Sequence, residues 1–409
     1  MPDPTLLSDW LEFAVRWLHV VTAIAWIGSS FYFIALDLGL HRDRNLASGA
    51  DGEEWQVHGG GFYHIQKYLV APEQMPGDLV WFKWESYATW LSGFALLGLV
   101  YYLGAGLFLI DPAVMDLAPW QAIAISLASL LAAWVIYDLL CRSPLGENPT
   151  LLMILLYLVL VGFALFYTNV FTGRAALLHL GAITATVMSA NVFLVIIPNQ
   201  KIVVADLVAG RRPDPKYGKI AKLRSTHNNY LTLPVLFMML SNHYPLAFAT
   251  QWNWLIASLV FLMGVTIRHW FNTRHARKGS PWWTWAATVL LFLVIAWLSA
   301  APTTSADEDA RLDPAAERFA AAPGFDEVTG IVLGNCSMCH AAEPGFEGIA
   351  RAPKGVLLET PGQIAAHARQ IYLQAGISHA MPPPSASFLD PLDRARIAAW
   401  FRAATAEKG

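Results

Sequence analysis

Charged residues are scarce in this sequence. They make up 14% of its 409 residues, whereas 56% are hydrophobic. A soluble domain usually carries about 25% charged residues, so the composition excludes an ordinary soluble protein. Only three cysteines are present, which excludes a framework of several disulfides. The opening MPDPTLLSDW contains no lysine or arginine, whereas a secretory signal begins with a positive segment, so we interpret the first apolar run as a retained membrane span.

Long apolar runs are what the sequence has in abundance. A helix needs about 20 predominantly apolar residues to cross the roughly 30 Å hydrocarbon core of a bilayer. On that basis we expect eight spans that lie in the lipid bilayer. Their approximate bounds are 10–38, 85–109, 120–140, 150–171, 175–197, 229–247, 252–273 and 282–301.

Lysine and arginine are concentrated in alternate loops between these spans. The positive-inside rule assigns such loops to the cytoplasm, whereas the opposite segments (1–9, 110–119, 172–174 and 248–251) carry only Arg174. Both termini would therefore lie in the periplasm of a bacterium, and the chain would cross the inner membrane repeatedly. The basic residues of the inner side are Arg42, Arg44, Lys67, Lys83, Arg142, Lys201, Arg211, Arg212, Lys216, Lys219, Lys222, Arg224, Arg268, Arg274, Arg277 and Lys278.

The two halves of this apolar region resemble each other. The first span reads LHVVTAIAWIGSSFYF from Leu18, and the fifth reads LHLGAITATVMSANVF from Leu178. A four-plus-four arrangement of this kind indicates a parallel repeat related by an axis along the membrane normal. Transporters share such repeats, so the pattern concerns architecture and does not define the chemistry.

Residues 334–345 read GNCSMCHAAEPG, which contains the Cys-X-X-Cys-His pattern of c-type haem attachment. Cys336 and Cys339 would bond one haem covalently, and His340 would bind its iron. The alternatives are a chance match and a thiol redox pair. Since two of the three cysteines belong to this motif, we expect Cys141 to be a free thiol.

The segment HAMPPPSAS supplies candidates for the sixth iron ligand. Met381 lies about forty residues after the motif histidine and precedes prolines, as the methionine ligand of a small cytochrome c does. A thioether ligand raises the potential of a haem. His379 is the competing candidate for the same position.

The C-terminal quarter also predicts its own helices. We expect one helix over 325–335, leading into the motif, and a closing amphipathic helix over 391–404 that begins with proline. Residues 302–323, rich in proline, alanine and acids, are interpreted as a flexible linker. The expected fold is therefore all-α: an eight-span transmembrane domain over 1–301, this linker, and a periplasmic cytochrome c domain over 324–409.

Two histidines occupy matching places in the repeat. His19 and His179 lie in the first and fifth spans, in the outer half of the bilayer. Ionisable groups inside spans are candidates for function, and a facing pair from two helices would hold a non-covalent b-type haem. The alternative is two neutral histidines that form hydrogen bonds with neighbouring helices.

A polar cluster opens the second and sixth spans at the inner face. Its amides, phenol, carboxylate and imidazoles would suit a flat ligand rich in hydrogen-bonding groups, although an ordinary interfacial belt has a similar composition. The catalytic candidates are His227, Glu85 and Tyr230, and the substrate-binding candidates are Lys83, Trp84, Asn228, Asn229, Thr232 and His269.

Three runs in the apolar region carry a resemblance to a known family. They are RWLHVVTAIAWIGSSFYF, THNNYLTLPVLFMMLSNHYP and TIRHWFN. Joined to the cytochrome-like tail, they resemble the integral membrane, cytochrome c-linked bacterial urate oxidase (urate hydroxylase) family over the whole chain. The resemblance implies oxidation of urate to 5-hydroxyisourate in purine catabolism. Electrons would pass to the haem and on to a downstream periplasmic cytochrome c or terminal oxidase, and no nucleic-acid partner is expected.

Two other functions fit the same features. One is a non-catalytic electron conduit from quinol to a periplasmic acceptor, and the other is a transporter with a fused cytochrome. For urate oxidation, a base near the substrate would assist, and His227 or Glu85 would serve. An inner site would meet urate in the cytoplasm but would need a relay to the outer haem. An outer site beside His19, His179 and His243 would need no relay.

Overall fold

The computed structural model describes residues 4–69, 77–111, 114–300, 314–346, 349, 352–378, 380–383 and 388–406. It is mostly helical, as predicted. The N-terminal part contains α1 (Pro4–Gly39), α2 (Trp84–Leu96), α3 (Ala105–Phe108), α4 (Pro119–Arg142), α5 (Pro149–Thr168), α6 (Gly173–Ala190), α7 (Ile197–Val208), α8 (Pro215–Ser241), α9 (Asn253–His275) and α10 (Trp283–Ala300). Two π-helical turns, Leu97–Tyr102 and Asn191–Ile196, continue α2 and join α6 to α7.

Helices lie at all eight predicted spans, but their apolar lengths differ. Within the described residues, five are long and apolar enough to cross a membrane: Leu7–Gly39, Pro119–Arg142, Pro149–Thr168, Gly173–Val208 and Asn253–His275. The apolar segment of α10 is shorter, at Trp283–Ser299. The first half of α8 carries lysines and an arginine, which lowers its mean hydropathy. The length and composition of these five helices are compatible with a membrane protein.

Helix α6 lies at the centre of the N-terminal part. It packs against α2, α4, α5, α8 and α9, and its Leu177, Leu180 and Ile183 are at most 1% exposed. Glycine allows the closest approach of α8: a Cβ on Gly181 would lie 2.8 Å from the Cβ of Met238. This packing fixes the position of the α8 face that carries the predicted site residues.

The loops rich in basic residues meet at one end of the helices, which we call the basic end. Lys67 and Lys222 both form ion pairs with Asp37 near the end of α1. Arg277, after α9, donates to the carbonyl oxygen of Gly39 across 2.7 Å. The charge asymmetry of the sequence therefore corresponds to two opposite ends of one helical bundle.

A β-hairpin at the basic end corrects the prediction of an all-α fold. Strands β1 (Ala50–His58) and β2 (Gly61–Tyr68) pair in antiparallel fashion. The turn between them contains Gly59 and Gly60 with φ of 59° and 80°, which glycine adopts without strain. Trp55 stacks on His64 across the strands, with ring centroids 4.1 Å apart.

The C-terminal part, residues 314–406, has its own hydrophobic core. Its helices are α11 (Pro314–Ala320), α12 (Phe325–Asn335), α13 (Pro361–Ala366), α14 (Ala368–Ile371) and α15 (Pro391–Thr405). The helices predicted before the motif and at the end of the chain are confirmed as α12 and α15.

The predicted linker is too long at its C-terminal end. Helix α11 lies inside it, and Phe319 of that helix is 1% exposed and stacks on Phe401 with centroids 5.3 Å apart. The indole nitrogen of Trp400 donates to the carbonyl oxygen of Phe319 across 2.9 Å. The flexible-linker interpretation is therefore wrong from residue 314 onward, and residues 302–313 lie outside the described residues.

Candidate functional sites: a Cys-X-X-Cys-His turn and a polar cavity

The Cys-X-X-Cys-His motif forms a tight turn at the end of α12. The amides of Cys339 and His340 both donate to the carbonyl oxygen of Cys336, at 3.1 and 3.0 Å. The amide of Leu358 donates to the carbonyl oxygen of His340 across 2.7 Å. These bonds hold the two thiols and the imidazole together on one short stretch of backbone.

The motif histidine has a defined tautomer. Nδ1 of His340 lies 2.9 Å from the carbonyl oxygen of Val356, so this nitrogen carries the proton and donates it. Nε2 is then the nitrogen that would bind a metal, an arrangement usual for histidine ligands. Two thiols beside an imidazole of this tautomer are a donor set that fits a covalently attached haem.

The Cys336 thiol is partly buried beside Cys339. Burial raises the pKa of the Cys336 thiol to about 11, and the neighbouring Cys339 contributes in the same direction. Reactive dithiols instead need a thiol pKa lowered by a helix N-terminus or a cation. With its raised pKa, the Cys336 thiol lacks this feature of a reactive dithiol, and haem attachment at the motif stays a prediction. Among the described residues, no group of three or more His, Cys, Asp or Glu side chains could hold a metal ion.

The backbone of Met381, the predicted sixth ligand, is held in place. Its amide donates to the carbonyl oxygen of Gln374 across 2.8 Å, and its carbonyl oxygen accepts from Arg394 at 2.8 Å. Its side chain is 38% exposed. His379 lies outside the described residues, so the choice between these two ligands stays a prediction.

A cavity of about 270 Å³ lies in the half of the bundle nearer the basic end. It brings together three of the residues predicted for the inner site: Glu85 at the start of α2, and Asn228 and Thr232 on α8. Serine hydroxyls and the amide of Gln200 form the rest of its polar lining, and aromatic and aliphatic side chains complete it. The lining residues are Trp26, Ile27, Ser29, Ser30, Phe33, Ile34, Val80, Trp81, Phe82, Glu85, Met188, Val192, Ile196, Gln200, Ser225, Asn228 and Thr232.

The side chain of Asn228 is fixed by its neighbours. Its Oδ1 accepts from Asn191 Nδ2 at 2.9 Å, and its Nδ2 donates to the carbonyl oxygen of Met188 at 2.9 Å. Asn191 opens the π-helical turn after α6, which directs its amide towards α8. The Oδ1 atom of Asn191 accepts from Arg224 at 3.3 Å. This network makes one wall of the cavity rigid.

Arg224 is buried but electrically compensated. The residue is 2% exposed, and its guanidinium lies 2.7 Å from the carboxylate of Asp138. The other oxygen of that carboxylate pairs with the more exposed Arg142 at 2.7 Å. A buried cation is tolerated in such a place when a carboxylate and hydrogen bonds neutralise it.

His227 lies on a different face of α8 from the cavity residues. It lines a small apolar cavity of about 80 Å³ together with Tyr137 and Tyr230. The Tyr137 hydroxyl accepts from Asn191 at 2.9 Å and forms a hydrogen bond of 2.8 Å with Nδ1 of His227. His227 and Glu85, which we had expected in one polar cluster, therefore line different cavities. His227 points away from its neighbour Asn228 because successive residues of a helix differ in direction by about 100°.

The remaining predicted residues are also distributed over different surfaces. Trp84 is 67% exposed, and the ammonium group of Lys83 lies 5.8 Å from the centre of its ring. The Tyr230 hydroxyl lies 3.2 Å from Nδ1 of His269. Asn229 is fully buried and contacts α9. The nine predicted residues therefore fall into separate groups: Glu85, Asn228 and Thr232 line the 270 Å³ cavity, whereas His227 and Tyr230 line the apolar one.

Sequence reasoning missed Asn191 as well as several of the lining residues, among them Trp26, Trp81 and Gln200. A signal existed for Asn191, because an amide in the middle of an apolar span is costly unless it has a structural or functional role. The lining residues of α1 carried no such signal, since their small hydroxyls and aromatic rings are common in any span.

The contacts of His19 and His179 match the interpretation of neutral histidines bonded to neighbouring helices. Nε2 of His179 lies 2.8 Å from the Ser126 hydroxyl, and Nδ1 lies 2.8 Å from the carbonyl oxygen of Ala175. Nδ1 of His19 lies 3.0 Å from the carbonyl oxygen of Thr89. Nε2 of His179, the nitrogen that would face an iron, is engaged by the Ser126 hydroxyl, and the b-type haem stays a prediction.

The comparisons with known proteins identify the family. The model of the urate oxidase N-terminal domain matches residues 5–299, from α1 to α10. No curated protein and no solved structure gives a significant match. The match covers most of the chain and associates it with oxidative chemistry on urate. The chain therefore belongs to the urate oxidase N-terminal family.

Proposed function

We propose that this protein oxidises urate to 5-hydroxyisourate and passes the electrons to a c-type haem in its C-terminal part. The observation that carries this proposal is the presence, in one chain, of a urate oxidase N-terminal match and a Cys-X-X-Cys-His turn whose histidine has the iron-binding tautomer. Cys336 and Cys339 would hold the haem covalently, and His340 would bind its iron. A haem bound there would supply a one-electron acceptor. Because the proposed urate site lies nearer the basic end and the C-terminal part lies at the opposite end, electron transfer between them would need a relay, for which a b-type haem held by His19 and His179 is the candidate.

The 270 Å³ cavity has the chemistry that urate needs. Urate is planar and rich in hydrogen-bonding groups, and the cavity offers aromatic walls from Trp26 and Trp81. Asn228 and Thr232 lie on one wall and would orient the ring edges. Oxidation removes two electrons and two protons from urate, and water then adds at C5. Glu85 is the only carboxylate among the described lining residues, and we assign it as the base that takes a proton.

The proposed location is the bacterial inner membrane, with eight spans and both termini in the periplasm. The basic end would then face the cytoplasm, where its cations would attract the urate anion. The C-terminal part would deliver electrons to a periplasmic cytochrome c or a terminal oxidase. The five long apolar helices are compatible with a membrane protein, and the concentration of lysine and arginine in alternate loops supports the proposed orientation.

The experiment that tests the function uses purified, oxidised, full-length protein with its haem attached. Urate should produce the absorption spectrum of reduced haem, and 5-hydroxyisourate should accumulate. A Cys336→Ala/Cys339→Ala variant, which lacks covalent haem, is the control and should not turn over urate. Haem that is reduced by quinol but not by urate would refute the proposal and favour the electron conduit.

A further inference from the structure

Arg268 is a buried cation whose hydrogen-bond partners are neutral. It lies on α9 and is 5% exposed. Its guanidinium donates to the side-chain oxygens of Asn272 at 3.0 Å and Asn229 at 3.4 Å, and it lies 4.2 Å from the centre of the Phe31 ring. No carboxylate in the described part of the chain forms an ion pair with it.

Arg224 provides the internal comparison. Both arginines are buried in the half of the bundle nearer the basic end, and both lie against an aromatic ring. Arg224 has the carboxylate of Asp138 at 2.7 Å, whereas Arg268 has amides only. Since buried charges are normally paired, the missing partner of Arg268 requires an explanation.

Asn229 supplies a second, independent observation beside Arg268. Its residue is 0% exposed, and its Nδ2 has no hydrogen-bond partner in the structure. Its Oδ1 is already occupied, because it accepts from Asn272 at 2.9 Å. A buried donor without an acceptor is costly. The Arg268 guanidinium and the Asn229 amide therefore lie together at a place that would accommodate the acceptor atoms of an anion.

This pair lies beside the 270 Å³ cavity, although neither Arg268 nor Asn229 is among its lining residues. Asn229 follows Asn228 on α8, and the hydroxyl of Thr232 donates to its carbonyl oxygen at 2.6 Å. Asn228 and Thr232 both line the cavity. The described lining contains Glu85 but neither lysine nor arginine, so an anion held in the cavity would find no compensating charge on its walls.

We propose that Arg268 and Asn229 bind the anionic edge of urate, at the junction of α1, α8 and α9 beside the cavity. This inference rests on the proposed function and specifies how its substrate is recognised. The anion neutralises the buried guanidinium, and one of its acceptor atoms satisfies the amide of Asn229. In the free protein the Arg268 guanidinium has no anionic partner among the described residues, and bound urate would supply the counter-ion.

The test measures urate binding to full-length, haem-loaded protein in the reduced state, where no turnover occurs. Equilibrium dialysis gives the Kd for wild type and for Arg268→Gln. The variant should bind at least tenfold more weakly, which corresponds to about 1.4 kcal/mol, and Arg268→Lys should be intermediate. Arg274→Gln on the same helix is the control, since Arg274 contacts the exposed Ser280, and its Kd should equal that of wild type. An unchanged Kd in Arg268→Gln would overturn the inference.

If Arg268→Gln does not fold, the Asn229→Asp variant tests whether this pair binds urate. The new carboxylate supplies the missing counter-ion, so this variant should melt at a higher temperature than wild type and bind urate at least tenfold more weakly. Wild-type affinity in this variant would contradict the inference. If urate reduces wild-type haem while both variants bind normally, the inference fails and the proposed function stands. Wild-type protein that neither binds urate nor is reduced by it would refute both.

Discussion

Arg369 in α14 donates to the carboxylate of Asp9 in α1 across 2.8 Å. The same guanidinium lies 3.4 Å from Glu12 and 5.4 Å from the centre of the Phe108 ring. Three contacts from one side chain therefore join the C-terminal part to the end of the bundle opposite the basic end. Docking of this kind would hold the proposed electron acceptor at a fixed distance from the N-terminal part, which a flexible tether would not do.

Charge reversal at this contact should slow electron delivery. We expect Arg369→Glu to reduce the rate of urate-driven haem reduction several-fold, because it places three carboxylates together. Since the Arg369 and Asp9 side chains are 29% and 23% exposed, the pair contributes about 1 kcal/mol at most. Stopped-flow absorption measures the rate, and added salt should slow the wild type.

Two further variants complete that experiment. Asp9→Lys combined with Arg369→Glu should restore part of the rate, since it re-forms the pair with the charges exchanged. Arg396→Glu, whose ion pairs with Glu327 and Asp393 lie within the C-terminal part, should leave the rate unchanged. Equal rates in wild type and Arg369→Glu would show that the contact does not position the acceptor.

Met381→Ala should lower the reduction potential of the haem without releasing the haem from the chain. Because the covalent bonds come from the two cysteines of the motif, the variant should keep its haem on the denatured chain. Loss of a thioether ligand should lower the reduction potential, which a spectroelectrochemical titration measures. An unchanged potential and reduced spectrum would exclude Met381 as the ligand and leave His379 as the candidate.

Glu85 and His227 should respond differently to substitution, because they face different cavities. Glu85→Gln should lower kcat by about a hundredfold or more, as expected for loss of a general base, while urate still binds. His227→Gln should keep most of the kcat but lower thermal stability, by about 1–3 kcal/mol, since it disturbs a buried hydrogen bond with Tyr137. Steady-state kinetics and thermal melting of both variants provide the comparison. The reverse pattern would place the base in the apolar cavity.

Reporter fusions test the proposed orientation. A reporter joined after Gly409 should be active only if it functions in the periplasm. One inserted in the loop 209–214, between α7 and α8, should be active only if it functions in the cytoplasm. The opposite result would invert the orientation and remove the electrostatic argument for urate entry from the cytoplasm.

The elements that could be predicted from sequence were those governed by local periodicity. Apolar run length located the helices of the N-terminal part, and α12 was predicted with its observed bounds. The hairpin was missed because its signal, the glycines at 59 and 60, lies inside a charged loop. Helix α11 was missed because alanine and acids suit both a helix and a linker, and only the burial of Phe319 decides between them.

Which polar residues share a cavity could not be predicted from the sequence, because this depends on how the helices pack. His227 and Asn228 are adjacent in sequence, but they line different cavities. Residues of α1 and α2 complete the cavity at Asn228, whereas residues of α4 and α5 complete the one at His227. Which neighbour covers which face depends on tertiary packing. Arg268 was interpreted as one of many inner-side cations, since only the structure reveals its burial and its neutral partners.

The central claim is that electrons from urate leave through the haem of the same chain. Its most direct test is a titration of the oxidised, full-length protein with urate in the strict absence of oxygen. The account predicts that one urate reduces two equivalents of haem and yields one 5-hydroxyisourate, without peroxide. Urate consumption that requires oxygen and produces peroxide, while the haem stays oxidised, would contradict it.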